Sequence, residues 1–298
     1  MSLSGFAFTE GGFDRASHLR EAEEALDALW PRARVLLLDG ESRALVPGEL
    51  TVWPLGAALR GERPRAALFL GMAGDTPCFA LEERAEGRPA CDLREAGMRW
   101  PGREASLFAA AAGVLNWQRR ARHCGGCGAR VELRQGGWSV RCPACGLEAY
   151  PRTDPAVIVA VSSGERLLLG RQARWPAGRW SVIAGFIEPG ESLAQAVARE
   201  VFEETGVRVR GVRFAAAQPW PFPSALMLGC FAEAAPDAPD PVVGEELEDA
   251  RWFSREEVAQ GLAASDAPAA GEPPPIAFSP RLSIARALIE AWHAEASG

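Results

Sequence analysis

The sequence contains no lysine: all 32 of its Lys-or-Arg positions among 298 residues are arginine, so apart from three histidines every cationic side chain is a guanidinium. Alanine, arginine, glycine and proline are abundant throughout, so this reads first as a compositional bias of the source. A preference for bidentate phosphate binding is the weaker reading. No apolar run approaches the roughly 18 residues of a membrane-spanning helix, which argues against such a segment. Nor does the chain open with a basic stretch followed by an apolar one, so nothing at its start reads as a secretion signal. A soluble cytoplasmic protein is the expectation. The formal net charge of −7 argues against broad nonspecific binding to nucleic acid and leaves open only a local basic patch.

What is present is globular: 48% hydrophobic and 24% charged residues, in a length that suits two or three compact units. Short apolar runs at 35–40 (VLLLDG), 49–55 (ELTVWPL) and 66–72 (AALFLGM) read as strands. Residues 17–30 carry Leu19, Ala22, Leu26 and Leu29 at helical spacing. Residues 1–104 are therefore expected to form a small α+β or α/β domain without a catalytic constellation. Strong helix formers over 104–122 predict a connecting helix, with Arg and His in its last turn complementing the helix dipole. Strands are expected over 155–163, 166–170, 207–216 and 226–234, and helices over 192–204 and 280–294. In the last helix Ile284, Leu288 and Ile289 share a face. The Pro- and Ala-rich stretches 235–241 and 263–275 read as loops.

Four of the seven cysteines form two Cys-x-x-Cys pairs, Cys124/Cys127 and Cys142/Cys145, separated by fourteen residues. That spacing predicts a tetrahedral Cys₄ zinc site. Each pair is followed by glycine, and 131–140 can form the hairpin that joins the two halves. Four thiolates leave no open coordination position, so one Zn²⁺ here would be structural. His123 is a ligand the quartet makes unnecessary. Cys78, Cys91 and Cys230 read as core residues.

The segment 185–207, GFIEPGESLAQAVAREVFEETGV, carries the chemistry. Ser192-x-x-Gln195 has the form of a capping box and Gly206 supplies a stop. Between them Glu200, Glu203 and Glu204 stand at i, i+3 and i+4 on one helix face. Like charges at that spacing repel, and a bound divalent cation offsets the repulsion. Mg²⁺ favours carboxylate together with phosphate oxygens, which points to phosphoryl chemistry.

The segment matches G-x5-E-x7-R-E-U-x-E-E-x-G-U, with U aliphatic, at every fixed position: Gly185, Glu191, Arg199, Glu200, Val201, Glu203, Glu204, Gly206 and Val207. It resembles the Nudix box. The resemblance implies an α/β/α sandwich that hydrolyses a nucleoside diphosphate linked to another moiety. It implies Mg²⁺ or Mn²⁺ on Glu200, Glu203 and Glu204, with Arg199 orienting them. Glu246, in the acidic segment 244–249, falls where the family often places a further metal-coordinating acid; Glu203 and Glu246 are the candidate bases.

Gln218-Pro-Trp-Pro-Phe-Pro223 cannot belong to an interior strand, and its prolines hold Trp220 and Phe222 stiffly extended, a geometry suited to stacking on a base or to a rigid structural loop. The string resembles the SQPWPFPxS signature of the NADH pyrophosphatase branch of Nudix enzymes, with Ala217 and Ala225 in place of its serines. That branch carries an N-terminal domain, a zinc ribbon and a Nudix domain in this order. The implied division is 1–104, connecting helix 105–122, Cys₄ ribbon 123–149 and catalytic domain 150–298, in an α/β fold. The resemblance implies cleavage of NAD(H) to nicotinamide mononucleotide and AMP by a homodimer. It further places Gln218, Trp220 and Phe222 at the substrate, Tyr150 and Phe186 at the base pocket and Met227 at the nicotinamide end. Some members act on NAD-capped RNA, so the enzymatic alternative is a Nudix hydrolase of NAD-capped RNA or of a broader range of dinucleotides. The net negative charge leans against RNA, while the basic residues at 119–123 keep it open. A zinc-ribbon module without activity is the rival from another class, and the intact glutamates weigh against it.

Overall fold

The computed structural model describes residues 3–45, 56–59, 61–267 and 273–295. The strand expected at 49–55 lies outside the described residues. The chain divides into two compact units, one comprising Phe8–Thr153 with Trp220–Ser224 and the other Met1–Ala7, Asp154–Pro219 and Ala225–Gly298.

The first unit contains α1 (Glu23–Leu29), β1 (Arg34–Leu38), α2 (Gly56–Leu59), β2 (Leu68–Ala73), β3 (Thr76–Glu82), α3 (Leu93–Arg99) and α4 (Gly102–Arg120), followed by β4 (Glu132–Arg134), β5 (Ser139–Arg141) and β6 (Glu148–Ala149). A three-stranded sheet of order β1-β3-β2 has β1 parallel and β2 antiparallel to β3. Alternation sends Val35, Leu37 and Phe69 into a core with Leu26, Trp30 and Phe79. The helix expected over 17–30 is broken: a 3₁₀ turn spans Ser17–Leu19 and α1 begins only at Glu23. The 3₁₀ turn buries no residue, whereas α1 is anchored by Leu26, so the earlier turn has no apolar face to hold it in line. The helix expected as a connector is embedded instead. Nine of the nineteen residues of α4 are buried, and it packs against β1, β2 and α3.

The ribbon β4-β5-β6 belongs to the same unit and is not a free-standing module. Trp138 Nε1 donates to the Phe69 carbonyl at 2.6 Å, and Gln118 Nε2 donates to the Gly137 carbonyl at 2.7 Å.

The second unit contains β7 (Asp154–Ser163), β8 (Arg166–Arg171), β9 (Ile183–Phe186), α5 (Leu193–Thr205), β10 (Val209–Trp220, whose last residue joins the other unit), β11 (Ala225–Ala234), β12 (Asp249–Ser254), α6 (Arg255–Asp266) and α7 (Ile284–Ala294). Its sheet runs β10-β11-β7-β8-β12, with β9 antiparallel to the first half of β7 and β11 parallel to β7 along its length. Along β7 the side chains alternate. Val157, Val159 and Val161 pack with Ala196, Val197 and Val201 of α5, while Ile158 and Ala160 pack with Ile284, Leu288 and Trp292 of α7. The result is the expected α/β/α sandwich. Pro219 is accommodated because β10 is an edge strand, which is why that strand runs past the expected residue 216. Residues 263–266, expected as loop, complete α6, which a Ser254–Glu257 capping box starts. No helix among the described residues is long and apolar enough to cross a membrane.

Candidate active site and metal centres

Helix α5 begins as its sequence requires. The Ser192 hydroxyl accepts from the Gln195 amide, the Gln195 side chain accepts from the Ser192 amide, and Gly206 closes the helix at φ 68°. Its apolar side is fixed in the core by Ala196, Val197 and Val201; Glu204 is buried along that side, Glu200 stands at its margin, and Arg199 and Glu203 flank it toward solvent. Arg199 organises this face. Its Nε and Nη2 donate to the two oxygens of Glu191 at 2.6 and 2.8 Å, and Nη1 donates to Glu200 at 2.9 Å and Glu203 at 3.0 Å. Nη2 also donates to the Phe186 carbonyl at 2.9 Å, tying α5 to β9.

Gly185 is required by close approach. A Cβ at this position would lie 1.9 Å from the Glu200 carboxyl carbon, so any side chain would evict that carboxylate.

Glu191 was read only as a box position, yet it is the principal partner of Arg199 and also accepts the Glu188 amide at 2.9 Å. The signal was its fixed place eight residues before Arg199. The Arg199 guanidinium, with that amide, holds the Glu191 carboxyl down at about 2, and Glu191 in turn raises Arg199. Burial raises Glu200 against the opposing pull of Arg199. Glu204 is buried, and burial, followed by the charges of Glu200, Glu246 and Glu203, pushes its carboxyl up to about 8.

The charge of Glu246 contributes to raising both Glu200 and Glu204. The intervening loop explains how. The Val242 amide donates to the Thr205 carbonyl and the Gly244 amide to the Glu204 carbonyl, both at 2.9 Å, while Leu247 is buried in the α5 core. The loop is thus pinned to the C-terminal end of α5 with Glu246 exposed beside the carboxylates. Three carboxylates of α5, with Glu204 raised by burial and like charge, and the loop carboxylate of Glu246 supply hard oxygens of the kind a divalent cation takes, and among the described residues they are not drawn together as tightly as the cysteine sulfurs.

The second metal centre is a soft-donor set. The Sγ atoms of Cys124, Cys127, Cys142 and Cys145 all lie within 4.8 Å of one another, with Cys124 to Cys145 at 3.6 Å and Cys127 to Cys142 at 3.5 Å. A zinc tetrathiolate with bonds near 2.3 Å has tetrahedron edges of about 3.8 Å, so the quartet fits that ion. Among the described residues it is the only set of three or more metal-ligating side chains this tight. Both knuckles are built alike: Gly128 donates to the Cys124 carbonyl and Gly146 to the Cys142 carbonyl at 2.9 Å, with glycine φ values of 75° and 78°. Backbone amides, that of Cys145 foremost, lower the Cys142 thiol to about 6. His123 lies outside the set, and Cys78, Cys91 and Cys230 are buried as expected.

The residues expected at the substrate are distributed differently from one another. Phe186 is exposed on β9, and the register Met227–Ala156–Phe186 puts Met227 two strands away on the same sheet face. Tyr150 is exposed in the other unit, its hydroxyl donating to Glu148 at 3.0 Å. Gln218 is a correction. It is wholly buried, its Nε2 donates to the carbonyls of Ala7 and Leu282, and its Oε1 accepts the Ile284 amide. With its amide so engaged the side chain ties the N-terminal segment to α7 and has no surface for a substrate. Trp220 and Phe222 lean on each other at 4.9 Å, and the Arg94 guanidinium lies 5.1 and 4.2 Å from their ring centroids. Arg94, on α3, belongs to no motif that marks it in the sequence.

Residues 152–272 match the family described as NUDIX domain, 119–150 the NADH pyrophosphatase zinc ribbon domain, and 28–117 the NADH pyrophosphatase-like rudimentary NUDIX domain. Among curated proteins, the NAD-capped RNA hydrolase NudC of Mycobacterium bovis is 40% identical over 294 residues, covering 95% of this chain and 93% of that one. Its counterpart of the same name in Mycobacterium tuberculosis is 39% identical over the same coverage. An NAD-capped RNA hydrolase of Schizosaccharomyces pombe is 45% identical over 208 residues, 63% of this chain and 54% of that protein. With an ordered carboxylate helix, a cysteine quartet of zinc dimensions and relatives matched along nearly its whole length, the chain belongs to the Nudix hydrolase family, in its NADH pyrophosphatase branch.

Proposed function

We propose that this hydrolase cleaves the pyrophosphate of NAD(H), giving nicotinamide mononucleotide and AMP. The observation that carries the reading is the Arg199 fan, which fixes Glu200 and Glu203 beside buried Glu204 and loop-borne Glu246. Mg²⁺ or Mn²⁺ held by Glu200, Glu203, Glu204 and Glu246 would neutralise the pyrophosphate and acidify the attacking water. Arg199 keeps Glu200 and Glu203 in register through charge-assisted hydrogen bonds. Glu203, exposed and bonded to Arg199 through one oxygen, is the candidate to take the proton of that water, with Glu246 as the other candidate base. Glu204, raised by burial, would give up its proton on holding the cation.

Phe186 offers an exposed ring on β9 for stacking of a base, and Met227, on the same sheet face, is assigned to the nicotinamide end. Tyr150, Trp220 and Phe222 are likewise assigned to substrate, with Arg94 lying over the last two rings. We take the active form to be a homodimer with one structural Zn²⁺ per chain. The names of the relatives favour a second substrate of the same chemistry, the NAD cap of RNA.

The test is parallel incubation with Mg²⁺ or Mn²⁺ and NADH, NAD⁺, ADP-ribose and a short NAD-capped RNA, with products resolved chromatographically. AMP and nicotinamide mononucleotide from NADH are the expected products. Cleavage of capped RNA far ahead of NADH makes decapping the main activity, and no cleavage of any substrate overturns the proposal.

A further inference from the structure

We propose that Arg15 and Arg20, gathered on Trp138, form an anion site that takes a phosphate group. The Arg20 guanidinium lies 4.1 Å from the Trp138 ring centroid and that of Arg15 lies 5.4 Å from it, with Arg15 also 4.8 Å from Phe13. The indole is a fixed platform, since its Nε1 is bound to the Phe69 carbonyl. The two cations are close enough that, after burial, the charge of Arg15 is what lowers Arg20.

Neither has an anionic partner among the described residues. The nearest acids in sequence are engaged elsewhere, Asp14 by the Ala16 amide at 2.8 Å and Glu21 by Gln135 at 3.2 Å. Arg20 Nε is fully shielded and makes no hydrogen bond. Other arginines of this unit are paired, Arg63 with Glu23 and Asp27 and Arg119 with Glu82. Two adjacent guanidiniums repel, and an aromatic face compensates them only in part. With Arg20 Nε shielded, the edge an oxyanion would meet is the Nη1–Nη2 pair of Arg20, together with the donors of Arg15. A tetrahedral phosphate has enough oxygens to meet two such forks at once, which a carboxylate lacks. Free phosphate and the phosphodiester of a nucleic acid strand share that chemistry.

The experiment is calorimetric titration of the full zinc-loaded chain with inorganic phosphate, pyrophosphate and an uncapped 5′-hydroxyl oligoribonucleotide. No divalent cation is added, so the carboxylate helix repels each of them. Saturable binding that falls roughly tenfold or more in Arg15→Gln/Arg20→Gln is expected, because each lost bond is charge-assisted. Arg20→Lys, which keeps the charge and loses the fork, is expected to fall between. Binding of the oligonucleotide alone, lost in the same variants, identifies the source as a strand. Should the double variant lose its zinc, the rise in Tm with phosphate in the wild type against Arg20→Lys decides instead. Absence of binding by every probe, or binding undiminished in the variants, overturns the site.

Discussion

The cysteine quartet is positioned by its backbone and the glutamate cluster by a side chain. The cysteine quartet is assembled by turns: two glycine-closed knuckles place four Sγ atoms at near-tetrahedral spacing, and no side chain of another type intervenes. The glutamate quartet is held by an organiser. Arg199 spreads its donors over Glu191, Glu200 and Glu203, while Glu204 is controlled by burial and Glu246 by a loop bonded to the end of α5. A site that only holds structure can close on its ion, whereas one that turns over substrate needs its ligands positioned yet accessible.

The sharpest way to break that contrast is to remove one ligand from the closed site. Cys142→Ser is expected to abolish stoichiometric zinc and unfold the ribbon, since zinc affinity of such sites, roughly 10 kcal/mol or more, is folding free energy. Zinc content by atomic emission and the number of thermal transitions check it. Because Trp138 and Gln118 bond the ribbon to β2 and α4, the loss should spread through the first unit. A variant that unfolds the ribbon and leaves the rest of that unit unchanged breaks this expectation.

At the open site the corresponding change should spare the fold. Glu203→Gln is expected to lower turnover by roughly 10²- to 10⁴-fold with zinc content and Tm unchanged. Undiminished turnover would remove Glu203 from proton transfer and pass the role to Glu246, for which Glu246→Gln is the matching variant. One step further out, Arg199→Lys keeps the charge but cannot reach Glu191, Glu200 and Glu203 together. It should weaken Mn²⁺ binding, turnover or both by about 10- to 100-fold, read by electron paramagnetic resonance titration and steady-state kinetics. An equal effect of Arg199→Lys and Glu203→Gln would mean that the organiser does more than orient.

These differences set what the sequence made legible. The cysteine spacing and the fixed positions of 185–207 were readable because both sites depend on local geometry, one knuckle or one helix at a time. What long-range packing decides was not readable. Gln218 shows an amide in the sequence, and only the fold reveals that Ala7, Leu282 and Ile284 consume it. The fusion of the ribbon with α4 and the first sheet depends on bonds between residues far apart in the chain. β9 is four residues long and β12 mixes charged with aromatic residues, so neither gives a clean periodic signal. The 3₁₀ break at residue 17 was hidden because leucine spacing alone cannot say which turn is buried.

The smallest expected effects are titrations, and they separate the two flanks of α5. Glu204 has a folded value of about 8, above its ordinary 4.5. Without a cation it therefore contributes stability fully present below about 4.5, which is lost as pH rises through about 8. Glu191 has the opposite sign. Held at about 2, it contributes stability above its ordinary value that is lost as pH falls toward 2. A cation drawn into the carboxylates must displace the Glu204 proton, so Mn²⁺ binding at pH 7 should release close to one proton and at pH 9 far fewer. Calorimetry in buffers of different ionisation enthalpy reads that number directly. Glu204→Gln should abolish the pH dependence of release, whereas Glu191→Gln should leave it and lower Tm at and above about pH 4.5, a difference that vanishes as pH falls toward 2. If Glu191→Gln flattens the proton release as well, Arg199 couples the two carboxyls through the helix, and the buried acid and the organiser act as one titrating unit.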